Sequence, residues 1–126
     1  MSITRILLLV AVFGAGACGS HRHRPSAASE PPPDVTLQVT NHNFLDVTVL
    51  LLRDGQRIRI GLATGTSSQS FTIPGRLIAQ THEIVLLGEA IGSNDRVRTE
   101  SLIVLPGQRI EWTLETNLQR SSVGVY

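Results

Sequence analysis

The chain of 126 residues contains one cysteine, no lysine and few aromatics, only 4% of the total. A lone cysteine excludes an internal disulfide, so no covalent staple supports the fold. All eleven basic residues are arginine, set against ten acidic ones for a formal charge of +1. No basic run is longer than Arg22-His23-Arg24 with His21 beside it, so the electrostatic footprint of a nucleic-acid binder is missing. Beyond the first residues no window carries an apolar i, i+3, i+4, i+7 stripe over ten positions. Without crossover helices, βαβ units and a parallel sheet are excluded as the organising pattern. The length accommodates a single domain.

What the sequence does have begins at its start. Arg5 precedes the apolar run Ile6-Leu7-Leu8-Leu9-Val10-Ala11-Val12-Phe13, followed by Gly14-Ala15-Gly16-Ala17. Such a run is too short to cross about 30 Å of hydrocarbon comfortably and reads as a leader that is removed, over residues 1–17. Immediately after the small residues stands the only cysteine, Cys18. Ala15-Gly16-Ala17-Cys18 resembles the lipobox of bacterial lipoproteins, with Ala15 where that family more often carries Leu. The resemblance implies cleavage before Cys18, a thioether from its sulfur to diacylglycerol, and acylation of the new amino terminus. It also implies a cell-envelope location, and Gly19, where inner-membrane retention would favour Asp, points to the outer membrane, facing the periplasm. Two or three acyl chains suffice for stable anchoring.

Residues 19–34 contain four prolines and no large apolar side chain. They cannot offset their ordering entropy by burial, so with Cys18 they read as a disordered spacer between lipid and domain, residues 18–34. His21 and His23 fall short of the four ligands of a structural metal site. With Arg22 and Arg24 they read as solvated spacer residues, with contact to anionic head groups near the anchor as the alternative.

From Val35 onward the pattern has period two. Val35, Leu37 and Val39 share one face, and Val47, Val49 and Leu51 another. Leu50 and Leu52 make the second strand apolar on both sides towards its end, as a central or bulged strand would be. Asp54-Gly55 between 45–52 and 56–63 predicts a tight hairpin, with Ile58, Ile60 and Leu62 facing one way and Arg57, Arg59 and Gly61 the other. Strands are further expected over 69–73, 78–87, 99–105, 109–114 and 122–126, with a loop over 88–95 and a type II turn at Pro106-Gly107. About seven strands over residues 35–126 predict an all-β fold: a small antiparallel β-sandwich, immunoglobulin-like or transthyretin-like, with a small β-barrel as the rival. Beyond the lipobox, the domain has a general likeness to small β-rich bacterial envelope lipoproteins.

The chemistry-bearing residues are sparse. His42 and His82 sit in no metal or triad spacing, and Asp46, Asp54, Glu83, Glu89, Asp95, Glu100, Glu111 and Glu115 have ordinary turn or wet-face positions. Glu89, Asn94 and Asp95 lack the regular acidic spacing of a calcium loop. Trp112, flanked at period two by Ile110 and Leu114, belongs to the core. No catalytic residue, metal or cofactor is therefore expected. The informative charges are Arg57 with Arg59 and Arg96 with Arg98, each pair sharing a strand face and able to meet an acidic protein or an anionic glycolipid. The expected protein is a membrane-anchored envelope lipoprotein with a non-enzymatic interaction or accessory module. The alternative is a membrane-tethered module that binds a small ligand or glycan.

Overall fold

Alternation of apolar and polar side chains in this chain is realised as strands that bury one face each. The computed structural model describes residues 29–126. The leader, Cys18 and the His21 to Arg24 stretch lie outside the described residues. The strands are β1 (Val35–Asn41), β2 (Val47–Arg53), β3 (Gln56–Ala63), β4 (Ser67–Ile73), β5 (Glu83–Ala90), β6 (Arg96–Arg98), β7 (Leu102–Ile103), β8 (Arg109–Leu114) and β9 (Ser122–Val125). One helical turn, α1 (Gly75–Ile78), joins β4 to β5, and a 3-10 turn at Leu118–Arg120 precedes β9.

Two sheets form the sandwich, in the orders β4-β1-β8-β9 and β3-β2-β5-β6, with β7 also pairing β5. Neither closes into a barrel. β6 and β7 both run along β5, against Leu87–Glu89 and Glu83–Ile84, as one edge interrupted between Arg98 and Leu102. Thr99 holds that edge in line: its N–H donates to Leu86 O at 2.9 Å, and its hydroxyl accepts from Leu86 N at 3.0 Å. Counting this interrupted edge once gives eight strand positions, close to the expected seven. Pairing is antiparallel except for β1 on β8, which is parallel. β1 and β2 lie in opposite sheets, whereas an immunoglobulin arrangement keeps the first two strands together. Of the two expected orders, the transthyretin-like one is left.

The core lies between the inward faces. Val35, Leu37, Val39, Val47, Val49, Leu51, Leu86, Ile110, Trp112 and Leu114 are all buried. β5 continues through Gly88 to Ala90, where the sequence suggested a loop from Gly88. The reason is the indole of Trp112, since a Cβ on Gly88 would lie 3.2 Å from Trp112 Cη2 and 3.1 Å from Val47 Cγ1. A glycine inside the strand clears the space that the largest core side chain fills. The expected strand over 78–87 begins only at Glu83. Pro74 ends β4, and the chain makes one helical turn that buries Ile78 completely. Four residues are too few to display a helical period.

The hairpin between β2 and β3 has the expected two-residue turn, with φ +49° at Asp54 and +74° at Gly55. Positive φ at both positions is the turn whose twist matches the strands. Nothing lies within 4 Å of a Cβ built on Gly55, so Gly55→Ala is a purely conformational change. It should lower stability by about 1 to 2 kcal/mol in denaturant unfolding. Pro106-Gly107 also turns as expected, with Gly107 at φ +85° and Gln108 N–H donating to Leu105 O at 3.2 Å.

Pro33 and Asp34, at the end of the expected spacer, are seated on the sandwich. The Asp34 carboxylate accepts from Gly75 N at 2.9 Å, and Pro33 lies against the Gly107 turn. The chain thus enters at the end where β2 and β4 finish and β5 begins.

Candidate functional site

The outward faces of the two sheets differ in kind. On β4-β1-β8-β9 the outward residues include Thr36, Gln38 and Thr40 of β1, Ser68, Ser70 and Thr72 of β4, and Glu111 of β8. Ser70 Oγ donates to Gln38 Oε1 at 2.5 Å and Ser68 Oγ to Thr40 Oγ1 at 3.2 Å, while Arg109 pairs with Glu111 at 3.0 Å. This is an ordinary solvated sheet face.

The outward face of β3-β2-β5-β6 is aliphatic at its centre. β2 supplies Leu50 and Leu52, which stand opposite Leu87 and Val85 of β5. On one side of this strip Arg59 is opposite Leu50 and Arg57 opposite Leu52; on the other Arg98 is opposite Leu87 and Arg96 opposite Glu89. The two arginine pairs singled out in the sequence therefore share one face and flank one apolar strip. Leu50, Leu52 and Val85 are half-buried and Leu87 is buried, although among the described residues no further layer covers them. Arginine stems can cover neighbouring methylenes while keeping their guanidinium groups in water.

A bulge adjusts this face. The β2–β3 register shifts between Val49 and Leu50, leaving Ile60 without a partner. The expectation that Ile58, Ile60 and Leu62 share a face is therefore corrected. Ile58 stays on the core side beside Leu51, but Leu62 now stands opposite Thr48 on the outward face, and Ala63 takes the core position.

The face contains an open groove of about 700 Å³, floored by Leu52, Val85 and Leu87 and bounded by Arg57, Arg96 and Arg98. Its lower end reaches the hairpin tip and Glu83, whose carboxylate accepts from the Ser101 hydroxyl. Arg57 reaches across β2 to pair with Glu89. Arg53 donates from Nη2 to Gln80 Oε1 at 2.9 Å; its buried Nε has no hydrogen bond and sits 3.5 Å from the Asp54 carboxylate. Arg59, Arg96 and Arg98 make no ion pair among the described residues.

The opposite end of the sandwich is organised by two buried asparagines that the sequence showed only as a turn. Asn41 Nδ2 donates to the carbonyls of Leu45, Ala63 and Thr64 at 3.0, 3.1 and 3.3 Å, and its Oδ1 accepts from Asn43 N at 2.9 Å. Asn43 in turn accepts from Leu45 N and donates to Thr116 O. The network ties three loops together and holds Phe44 outside them, 80% exposed. Its only trace in the sequence is a pair of amides directly after a clean strand.

The remaining candidates do not converge. His42 contacts Glu115 at 3.3 Å on an exposed surface, and no imidazole lines the groove. Glu89 is turned towards Arg57, while Asp95 N–H is bonded to Ser93, so Glu89, Asn94 and Asp95 do not form one oxygen cluster. Among the described residues no three His, Cys, Asp or Glu side chains are grouped to hold a metal ion. Trp112 is buried in the core and Tyr126 carries the Arg109 guanidinium 5.5 Å over its ring. Comparison of the chain with protein-family models and with curated proteins gives no match.

Proposed function

We propose that the protein is an envelope lipoprotein held in the bilayer through acylated Cys18, with a non-enzymatic sandwich that docks an anionic partner on the outward face of β3-β2-β5-β6. The observation that carries this reading is the contrast between the two outward faces. Serine, threonine and glutamine cover one, as solvent alone requires, whereas the other has Leu50, Leu52, Val85 and Leu87 between two rows of arginine. An aliphatic strip on an uncovered sheet gains about 25 cal/mol per Å² when a partner removes it from water. Arginine rows beside it select partners that bring carboxylates or phosphates.

The groove favours a second reading, because its volume falls within the range of about 300–1,000 Å³ typical of small-ligand sites. In that reading a membrane-tethered module binds an anionic small molecule or glycan.

Photo-crosslinking in intact cells separates these readings. A photoreactive side chain at Val85 should give a defined adduct, while one at Thr72 on the other sheet should give none. Adducts from neither position, or equally from both, would remove the docking reading. Adduct mass distinguishes macromolecule from small ligand. In the same membrane fraction, intact-mass analysis should show a chain that begins at Cys18 with acyl mass attached; a free thiol there would remove the anchor.

A further inference from the structure

We infer that the anionic partner on this face is the phosphate headgroup layer of the bilayer, so that the sandwich lies on the membrane on its arginine-bearing sheet. This inference rests on the docking reading above. It follows from where the charges stand, how they are spaced and where the chain leaves the fold.

The four arginines are arranged as two rows. One row is on β3 and the other on β6, three strand intervals apart, or roughly 14 Å. That interval is between backbones, and Arg57 already reaches inward to Glu89 beside Arg96, so one anion can bridge Arg57 and Arg96, whereas Arg59 and Arg98 stand at opposite borders of the face. An array of anions spread over a surface meets both at once. Each guanidinium presents a planar fork of donors that matches a phosphate. Between the rows, the half-buried Leu50, Leu52 and Val85 supply an apolar strip for the glycerol and upper acyl region that lies directly beneath phosphates.

Chain geometry supplies the second argument. The described chain enters where Pro33 and Asp34 are seated against Gly75 and Gly107. Ile73 pairs with Val35 at this end, and α1 leads from it to Glu83 at the groove's lower end. The groove therefore opens at the end where the spacer arrives. Between Cys18 and Ser29 the chain has a contour of at most about 40 Å. Anchoring at Cys18 thus keeps the arginine face within reach of phosphates at high effective concentration, and a weak contact is enough to dock it.

Glu89 tunes the contact. It occupies the Arg57 guanidinium across β2, so removing its charge releases a fourth cation to join Arg59, Arg96 and Arg98.

The test uses the full-length acylated protein in phosphatidylcholine vesicles with or without phosphatidylglycerol. A fluorophore on Thr48→Cys reports the outward face of β2, and one on Thr72→Cys reports the other sheet. A quencher is carried on lipid headgroups. Quenching should be strong at position 48 and weak at position 72 with phosphatidylglycerol, and should fall in pure phosphatidylcholine and at high salt. Arg96→Gln with Arg98→Gln should reduce the ratio of docked to undocked protein about 25-fold, near five-fold for each arginine. Glu89→Gln should raise that ratio, an outcome that loss of folding cannot mimic. Equal quenching at both positions, or none at 48 with phosphatidylglycerol, would overturn the inference. Added poly-glutamate and inorganic phosphate distinguish the failures. If poly-glutamate perturbs the position-48 fluorophore while anionic vesicles do not, docking stands and the membrane assignment falls. If neither does, both fall; a response to inorganic phosphate alone assigns the face to a free anion and overturns the membrane assignment.

Discussion

Trp112→Ala should cost about 3 to 5 kcal/mol of stability, or unfold the domain outright. Trp112 is 1% exposed, pairs with Val39 and Val123 in its sheet, and reaches across the sandwich to the bare backbone of Gly88. Because Gly88 offers no side chain that could move into the vacated space, the cavity would persist, and the loss belongs towards the upper end of the range. A domain of this size has only about 5 to 15 kcal/mol in total. Denaturant unfolding followed by far-ultraviolet circular dichroism is the measurement, since the substitution removes the only tryptophan. A change within about 0.5 kcal/mol, as at an uncommitted surface site, would contradict the packing described.

A comparable loss is expected from a substitution that leaves volume almost unchanged. Asn41→Leu keeps the site filled but strips the donors from the carbonyls of Leu45, Ala63 and Thr64 and the acceptor from Asn43 N–H. Asn41 is fully buried, and each polar group left unsatisfied out of water costs about 1 to 3 kcal/mol. A loss of about 3 kcal/mol or more should accompany faster hydrogen exchange at the Asn43 and Leu45 amides. A loss below about 1 kcal/mol with unchanged exchange would show that water replaces the amide and that the network is dispensable.

Local chemistry made part of this fold readable in advance. Asp54-Gly55 and Pro106-Gly107 each determine a turn through the backbone angles their residues accept, and both turns form. Two-sided apolar character marked the segments of β2 and β5 as central, and they are the inner strands of their sheet. What period two could not reveal is that Leu50, Leu52, Val85 and Leu87 lie between two arginine rows instead of beneath another layer. The bulge at Ile60 was equally hidden, because one extra residue reverses the faces beyond it without altering composition. α1 is a single turn, and Gly88 reads as a loop residue unless its position opposite Trp112 is known. For the candidate site, spacing showed that Arg57 and Arg59 share a face, and likewise Arg96 and Arg98. Joining the pairs requires β2 to lie beside β5, a long-range pairing across 47–52 and 85–90 that no local signal encodes.

The two borders of the arginine-bearing sheet have a consequence for how densely such molecules can be crowded. An exposed strand edge is a template on which a second chain can add its own strand, and unblocked edges lead to polymerisation. On one border β3 has the bulge at Ile60, which breaks the even ladder of backbone groups, and the charges of Arg57 and Arg59. On the other, the edge is divided between β6 and β7, and Gln119 Nε2 already occupies the Arg96 carbonyl at 2.5 Å. An incoming strand would find two or three residues of free ladder before a break. If copies are confined to a membrane as proposed, where neighbours meet repeatedly in similar orientations, they would therefore sit side by side without fusing their sheets into a fibril.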